Sequence, residues 1–306
     1  MICKRWFREY KIEFSLFIVA LILSLLPIFV SVVKTPRDFI PTLNNQFYDM
    51  RDVFVYTAGV RLGLDGNFLY KYKFYPAKAE NQVLIYPALT ITGLILKPLS
   101  VLIPKFYLAI GGYLLLKIIG SVLLFLAALH FFKSFNFSKR ESIITTAFLL
   151  FSGGSVSIDF PGLFPEAALT IASFSLDLSF TLLAVSFTKR IVEHFNKINC
   201  LWLAAAILGV VVTHPYSLLP VLCIVIGTTT ILLAKKTIKI QTSAGIFATF
   251  IPALSYCVYL YYNYYQLDAL GWVKMFDGVA QFMKTPPVIV IVIYLGLQGT
   301  LVAGIS

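Results

Sequence analysis

Two carboxylates, Asp49 and Asp52, stand three residues apart in the stretch YDMRDVFVY, residues 48–56. On a helix that spacing shares one face, and Tyr56, four residues after Asp52, lies on it too. A carboxylate at a membrane surface, partly shielded from water, holds a proton more tightly and can serve as general base. The plainer alternative is a set of solvated loop acids paired with Arg51 and Arg61. A second group is THPYSLLP, where Thr213, His214 and Tyr216 surround Pro215. Its histidine can cap a helix end or hydrogen-bond inside a bundle. Lys117 and Asp177 lie deep in apolar runs, where a charge is expensive unless paired or functional. A buried ion pair between them is the expectation, and proton-coupled transport is the functional alternative.

The elements that must position these groups are membrane helices. The chain is 59% hydrophobic and 13% charged, with mean hydropathy +0.86. A soluble domain carries about 25% charged residues. Several runs approach or exceed the ~20 apolar residues of a bilayer span, and they lack the alternation of barrel strands. The expected fold is all-α, a polytopic transmembrane bundle of about 8 spans. The formal charge of +11 is scattered through interhelical loops without a basic stripe or recognition motif. That excludes nucleic acid as a partner and fits the Lys/Arg bias of cytoplasmic loops. Cys3, Cys200, Cys223 and Cys257 show neither CxxC nor metal-ligand spacing, so no disulfide, metal or cofactor is expected.

Lys4, Arg5, Arg8 and Lys11 precede the first apolar run, 12–33, and put the N-terminus in the cytoplasm. That run is too long for a cleaved signal peptide and reads as a retained anchor. Residues 34–106 form a large first extracytoplasmic loop. Within it, 86–104 is apolar enough to span, yet spanning would expose the basic KSFNFSKR on the outer face. It is predicted to be a helix on the outer membrane surface, with Lys97 reaching into water or headgroups. Further spans are predicted at 107–132, 141–157, 164–187 and 243–262, with another starting near Pro287. The run 201–234 is predicted to break at Pro215 into a half-helix going out and a second coming back. Tyr256, Tyr259, Tyr261, Tyr262, Tyr264 and Tyr265 read as an interfacial aromatic belt. Residues 1–306 are expected to form one membrane domain, C-terminally incomplete because its last apolar run is still open at Ser306.

The loop carries, in order, Asp52-Val-Phe-Val55-Tyr56, Ala58-Gly59, Gly66-Asn-Phe-Leu69-Tyr70 and Tyr86-Pro87. This series resembles the first outer loop of the GT-C superfamily of integral-membrane glycosyltransferases. It is closest to the family 87 type of polyprenol-phosphate-mannose-dependent mannosyltransferases. Ala88 stands where relatives commonly carry a second proline, and KYKFYPAKAENQV lengthens the loop. The resemblance implies a polyprenyl-phosphate sugar as donor, a hexose such as mannose as cargo, and a glycolipid, glycan or protein as acceptor. It implies Asp52 as the base that deprotonates the acceptor hydroxyl, with Asp49 in reserve, and needs no metal. Tyr56 and Tyr86 would belong to the substrate site, and His214, before its proline, would face the donor phosphate. Glu166, in FPEAAL, either binds an acceptor hydroxyl or steadies the first turn of its helix. The implied location is a multi-pass protein of the plasma (inner) membrane with an extracytoplasmic active site. Two other classes compete: a polytopic transporter or lipid flippase, and an inactive GT-C-like scaffold subunit.

Overall fold

The computed structural model describes residues 10–34, 50–70, 83–151 and 172–266. Every regular element among them is helical. In chain order they are α1 (Lys11–Lys34), α2 (Met50–Leu64), α3 (Pro87–Leu96) with a 3-10 turn (Lys97–Val101), α4 (Lys105–Ser134) and α5 (Lys139–Phe151). There follow α6 (Ala172–Glu193), α7 (Lys197–Thr213), a 3-10 turn (Pro215–Ser217), α8 (Leu218–Ala234), α9 (Ile240–Ala248) and α10 (Ile251–Leu260), then a π turn (Tyr261–Gln266). The chain divides into two compact units. One is Met1–Tyr70 with Leu84–Leu260, and the other is Lys71–Val83 with Tyr261–Ser306. The candidate site lies in the first.

Among the described residues two helical stretches, Lys105–Ser134 and Ile240–Asn263, are long and apolar enough to cross a membrane. Pro87–Val101, Lys197–Thr213 and Leu218–Ala234 are shorter apolar helices. The predicted break at Pro215 is present. Proline has no N–H to give and disfavours helical geometry in the residue before it, so His214 is extended at φ −153°. The pair is longer than predicted, because α7 begins at Lys197, where the Asn196 side chain accepts from Ile198 N at 2.8 Å. The predicted helix 86–104 exists as α3 and its 3-10 extension. The stretch predicted at 243–262 is jointed at Thr249–Phe250, just before Pro252.

Helix directions follow from paired contacts. Asp65 meets Lys105 at 2.7 Å, while the rings of Tyr56 and Tyr113 stack 6.2 Å apart, so α2 runs antiparallel to α4. Tyr56 meets Tyr86 at one end and Gly66 meets Lys97 at the other, so α2 and α3 run parallel. α6 runs parallel to α4, with Leu176 packed near Leu116 and His130 5.4 Å from Phe187. The crossing of α2 and α3 is backbone on backbone. A methyl group at Gly63 would fall on the Thr90 carbonyl oxygen and 2.8 Å from Gly93 Cα. Small residues permit such an approach, and close van der Waals packing is what holds helices together in lipid.

Three apolar clusters fill the unit. One joins α2, α3, the start of α4 and Leu176. A second joins α6 through α10. The third joins α1 to the last turns of α4 and to α5. Beside this last cluster, the fully buried Glu13 takes both carboxylate hydrogen bonds from Lys139 Nζ at 2.6 Å and a third from Ser142 at 3.2 Å. A buried carboxylate is tolerable when its lone pairs are met in this way.

Candidate functional site

The site is built around Tyr86. Its backbone is left-handed, φ 51° and ψ 48°, immediately before Pro87 at the start of α3. The clash of the Pro87 ring with the preceding residue removes the ordinary helical alternative. A non-glycine residue rarely takes this conformation, and the surroundings must impose it. Two tyrosines from α10 do so. Tyr256 donates its hydroxyl to Leu84 O at 2.8 Å, and Leu84 N donates to the Tyr259 hydroxyl at 3.0 Å. Both backbone groups of Leu84 are thus held two residues before Tyr86. These two belt candidates are therefore structural clamps, while Tyr261 and Tyr262 are exposed.

Four tyrosine rings then pack in series. Tyr70 and Tyr86 meet edge to face at 6.2 Å, Tyr86 and Tyr56 edge to face at 5.7 Å, and Tyr56 stacks on Tyr113. Tyr70 donates its hydroxyl to Val55 O at 3.2 Å, tying the loop back onto α2. Gly59 fits this crowd because a methyl there would come within 3.0 Å of Leu89 and 3.3 Å of Tyr70. Tyr56, Tyr86 and Tyr113 line a small pocket together with Leu176, Val212 and Thr213. The enclosed space is about 20 Å3, room for roughly one water. It is a floor on which a ligand could rest, too small to enclose a hexose in this conformation.

The predicted site residues fall into three groups. Tyr56 and Tyr86 come together in the pocket, and His214 follows Thr213 at its edge. Asp52 occupies the first turn of α2, four positions before Tyr56 in register. Asp49 and Glu166 lie outside the described residues. The plainer reading of the loop acids holds for Asp65, which accepts from Arg61 Nε at 3.4 Å and from Lys105 Nζ.

The expected ion pair between Lys117 and Asp177 is corrected. Parallel packing sets the two at the same level of α4 and α6, but their side chains leave on different sides. Lys117 Nζ points to Ser24 O of α1 at 3.4 Å. Asp177 is buried on α6, and its Oδ1 has no hydrogen-bond partner. At the α7–α8 break the Ser217 hydroxyl oxygen is 3.1 Å from His214 Nδ1. Ser217, Tyr113 and the Leu84 clamp were not anticipated. Ser217 had a legible signal, since residues three apart eclipse one another in a 3-10 turn. Among the described residues no three His, Cys, Asp or Glu side chains gather closely enough to hold a metal ion.

Comparison with protein-family models, with curated proteins and with solved structures finds no match to this chain.

Proposed function

We propose that this protein is a polytopic inverting glycosyltransferase, moving a hexose such as mannose from a polyprenyl phosphate to a glycolipid, glycan or protein hydroxyl. The observation that carries this is a convergence. Tyr56 of the D-x-x-V-Y element, Tyr86 of the Y-P element and Thr213 of the proline break are far apart in sequence and line one pocket. Asp52 sits one helical turn from the first of them.

The membrane placement follows from lengths and charges. α4 has 30 residues, about 45 Å, against a hydrocarbon core of ~30 Å. With Lys133, Lys139 and Arg140 cytoplasmic, its first turns rise above the core, where α2 and α3 pack on them. The pocket then lies near the outer interface, and about 8 spans complete a multi-pass protein of the plasma membrane. An amphiphilic donor arrives there through the lipid and a polar acceptor through water.

Asp52 takes the proton of the acceptor hydroxyl as that oxygen attacks the anomeric carbon. The bond from that carbon to the phosphate oxygen breaks, and polyprenyl phosphate leaves with the electron pair. Asp49 is the reserve base, His214 contacts the donor phosphate, and Glu166 holds the acceptor. The leaving group is stable as an anion, so the reaction needs no metal. The test is sugar transfer from labelled polyprenyl-phosphate sugars by the full-length protein in vesicles. Wild type should transfer, and Asp52→Asn should not, beyond about 1% of that rate. Transfer that survives Asp52→Asn removes this mechanism.

The buried Asp177 oxygen beside a broken helix favours a second reading, a transporter or lipid flippase. Substrate flux across the same vesicles without transfer would select it.

A further inference from the structure

Toward the end of α4, three rings from three helices stand in a row. His130 of α4 lies 5.4 Å from Phe187 of α6, and Phe187 stacks on Trp202 of α7 at 6.3 Å and 15°. α7 runs antiparallel to α6, since Phe187 meets Trp202 at one level and Phe180 meets Gly209 at another. The row therefore crosses from α4 to α7 at a single level. Apolar surface leads up to it. On α4, Ile119, Val122 and Leu126 are exposed. Their spacing of three and four residues continues through His130 to Lys133, so all five share one face. On α7, Leu201 and Trp202 are 70% and 55% exposed. Uncovered apolar surface of this kind marks a contact with lipid or a partner.

The row ends in positive charge with no acid to meet it. The Arg190 guanidinium lies 5.9 Å from the centre of the Phe187 ring. Lys133 follows His130 by one turn and is exposed. Neither cation forms an ion pair among the described residues. The acids nearest in sequence are otherwise engaged. Glu193 is bonded to Lys189, which itself lies over Phe135, and Glu141 accepts from Ser138 N at 2.6 Å. An anion placed between the two cations relieves their repulsion. Arginine meets phosphate oxygens with a planar fork, and lysine adds a point charge. The Trp202 indole suits the same depth, the boundary between hydrocarbon and water.

We propose that this surface binds an anionic phospholipid of the cytoplasmic leaflet. Its phosphate sits between Arg190 and Lys133, and an acyl chain follows the exposed face of α4. A free phosphate would leave that apolar face unused. A choline headgroup would bring a third cation to a place that has no acid. The surface lies at the opposite end of α4 from Tyr113 and is separate from the tyrosine pocket. The proposal rests on the membrane placement of α4 and not on sugar transfer.

The experiment uses full-length protein in phospholipid vesicles. The chain has 3 tryptophans, and Trp6→Phe with Trp272→Phe leaves Trp202 as the reporter. Its fluorescence is followed as brominated phosphatidylglycerol or brominated phosphatidylcholine replaces part of the lipid, because bromine quenches at close range. Phosphatidylglycerol should be preferred at Trp202 by roughly tenfold in relative association constant. Arg190→Gln together with Lys133→Gln should abolish that preference while leaving quenching by phosphatidylcholine unchanged, and either substitution alone should give an intermediate value. Lys235→Gln with Lys236→Gln, which removes two charges from the turn after α8, should leave the preference intact. Equal association of the two lipids overturns the inference. So does a preference that survives the Arg190 and Lys133 changes, or one that falls equally with Lys235 and Lys236. Loss of the preference on adding inorganic phosphate, but not chloride at equal ionic strength, assigns the cations to a free anion and overturns the lipid site. Quenching by neither lipid removes the membrane placement and the inference with it. None of these readings depends on Asp52 or on transfer.

Discussion

Two seams of the molecule are tight in different ways. Where α2 crosses α3, glycine meets glycine and main chain touches main chain. Where α6 meets α7, Gly209 instead receives the ring of Phe180, which a methyl group would approach to 2.7 Å. The first seam has no side chain to yield, whereas the second has a phenyl ring. The first fixes the helix carrying Asp52 and Tyr56. The second borders a proline break, where His214 and Ser217 meet. Main-chain contact thus holds one seam, and a ring that can turn holds the other.

The comparison can be broken at several strengths. Asp52→Asn is the largest test, with an expected loss of ~10²–10⁴ in transfer rate at unchanged thermal stability, since it leaves the α2–α3 crossing intact. Gly63→Ala or Gly93→Ala should come next. Both push a methyl into main chain, and the cost should exceed about 3 kcal/mol, read as loss of folded protein in detergent or as rapid proteolysis. Gly209→Ala should cost about 1–2 kcal/mol in the same assay, because Phe180 can turn aside. Equal costs at Gly63 and Gly209 would erase the distinction between the seams. Tyr259→Phe leaves Leu84 N without its acceptor and should cost about 1–2 kcal/mol, seen as lowered donor affinity more than lowered melting temperature. Gly227→Ala should be the smallest. A methyl there meets nothing within 4 Å, so melting should stay level or rise by an amount worth under ~1 kcal/mol.

Helices were legible because apolar runs and prolines announce them. Pro215 anticipated the break, whereas α2 was not predicted: the i, i+4 spacing of Asp52 and Tyr56 only said which residues would share a face on a helix. What depth along a helix does not reveal is direction around it. Lys117 and Asp177 were correctly set at one level and wrongly joined, since level says nothing of which neighbour a side chain faces. The α2–α3 crossing left a trace in Gly59 and Gly63, four residues apart, the spacing of small residues at membrane helix contacts. Their partner Gly93 stands thirty residues on, with no local pattern to connect it. The tyrosines near residue 260 looked alike in composition, and only tertiary placement separates the two that clamp Leu84 from those that face outward.

The Leu84 clamp has a consequence in time. Leu84 and the Tyr259 that binds it are 175 residues apart in the chain. At ~5–20 residues per second, a ribosome needs roughly 10–35 s to travel between them. Throughout that interval α2, α3 and α4 can form and pack, but the strained turn at Tyr86 has nothing to impose it. The pocket floor is therefore one of the last features to form during synthesis, and a nascent chain halted before α10 would have its first apolar cluster without a finished site.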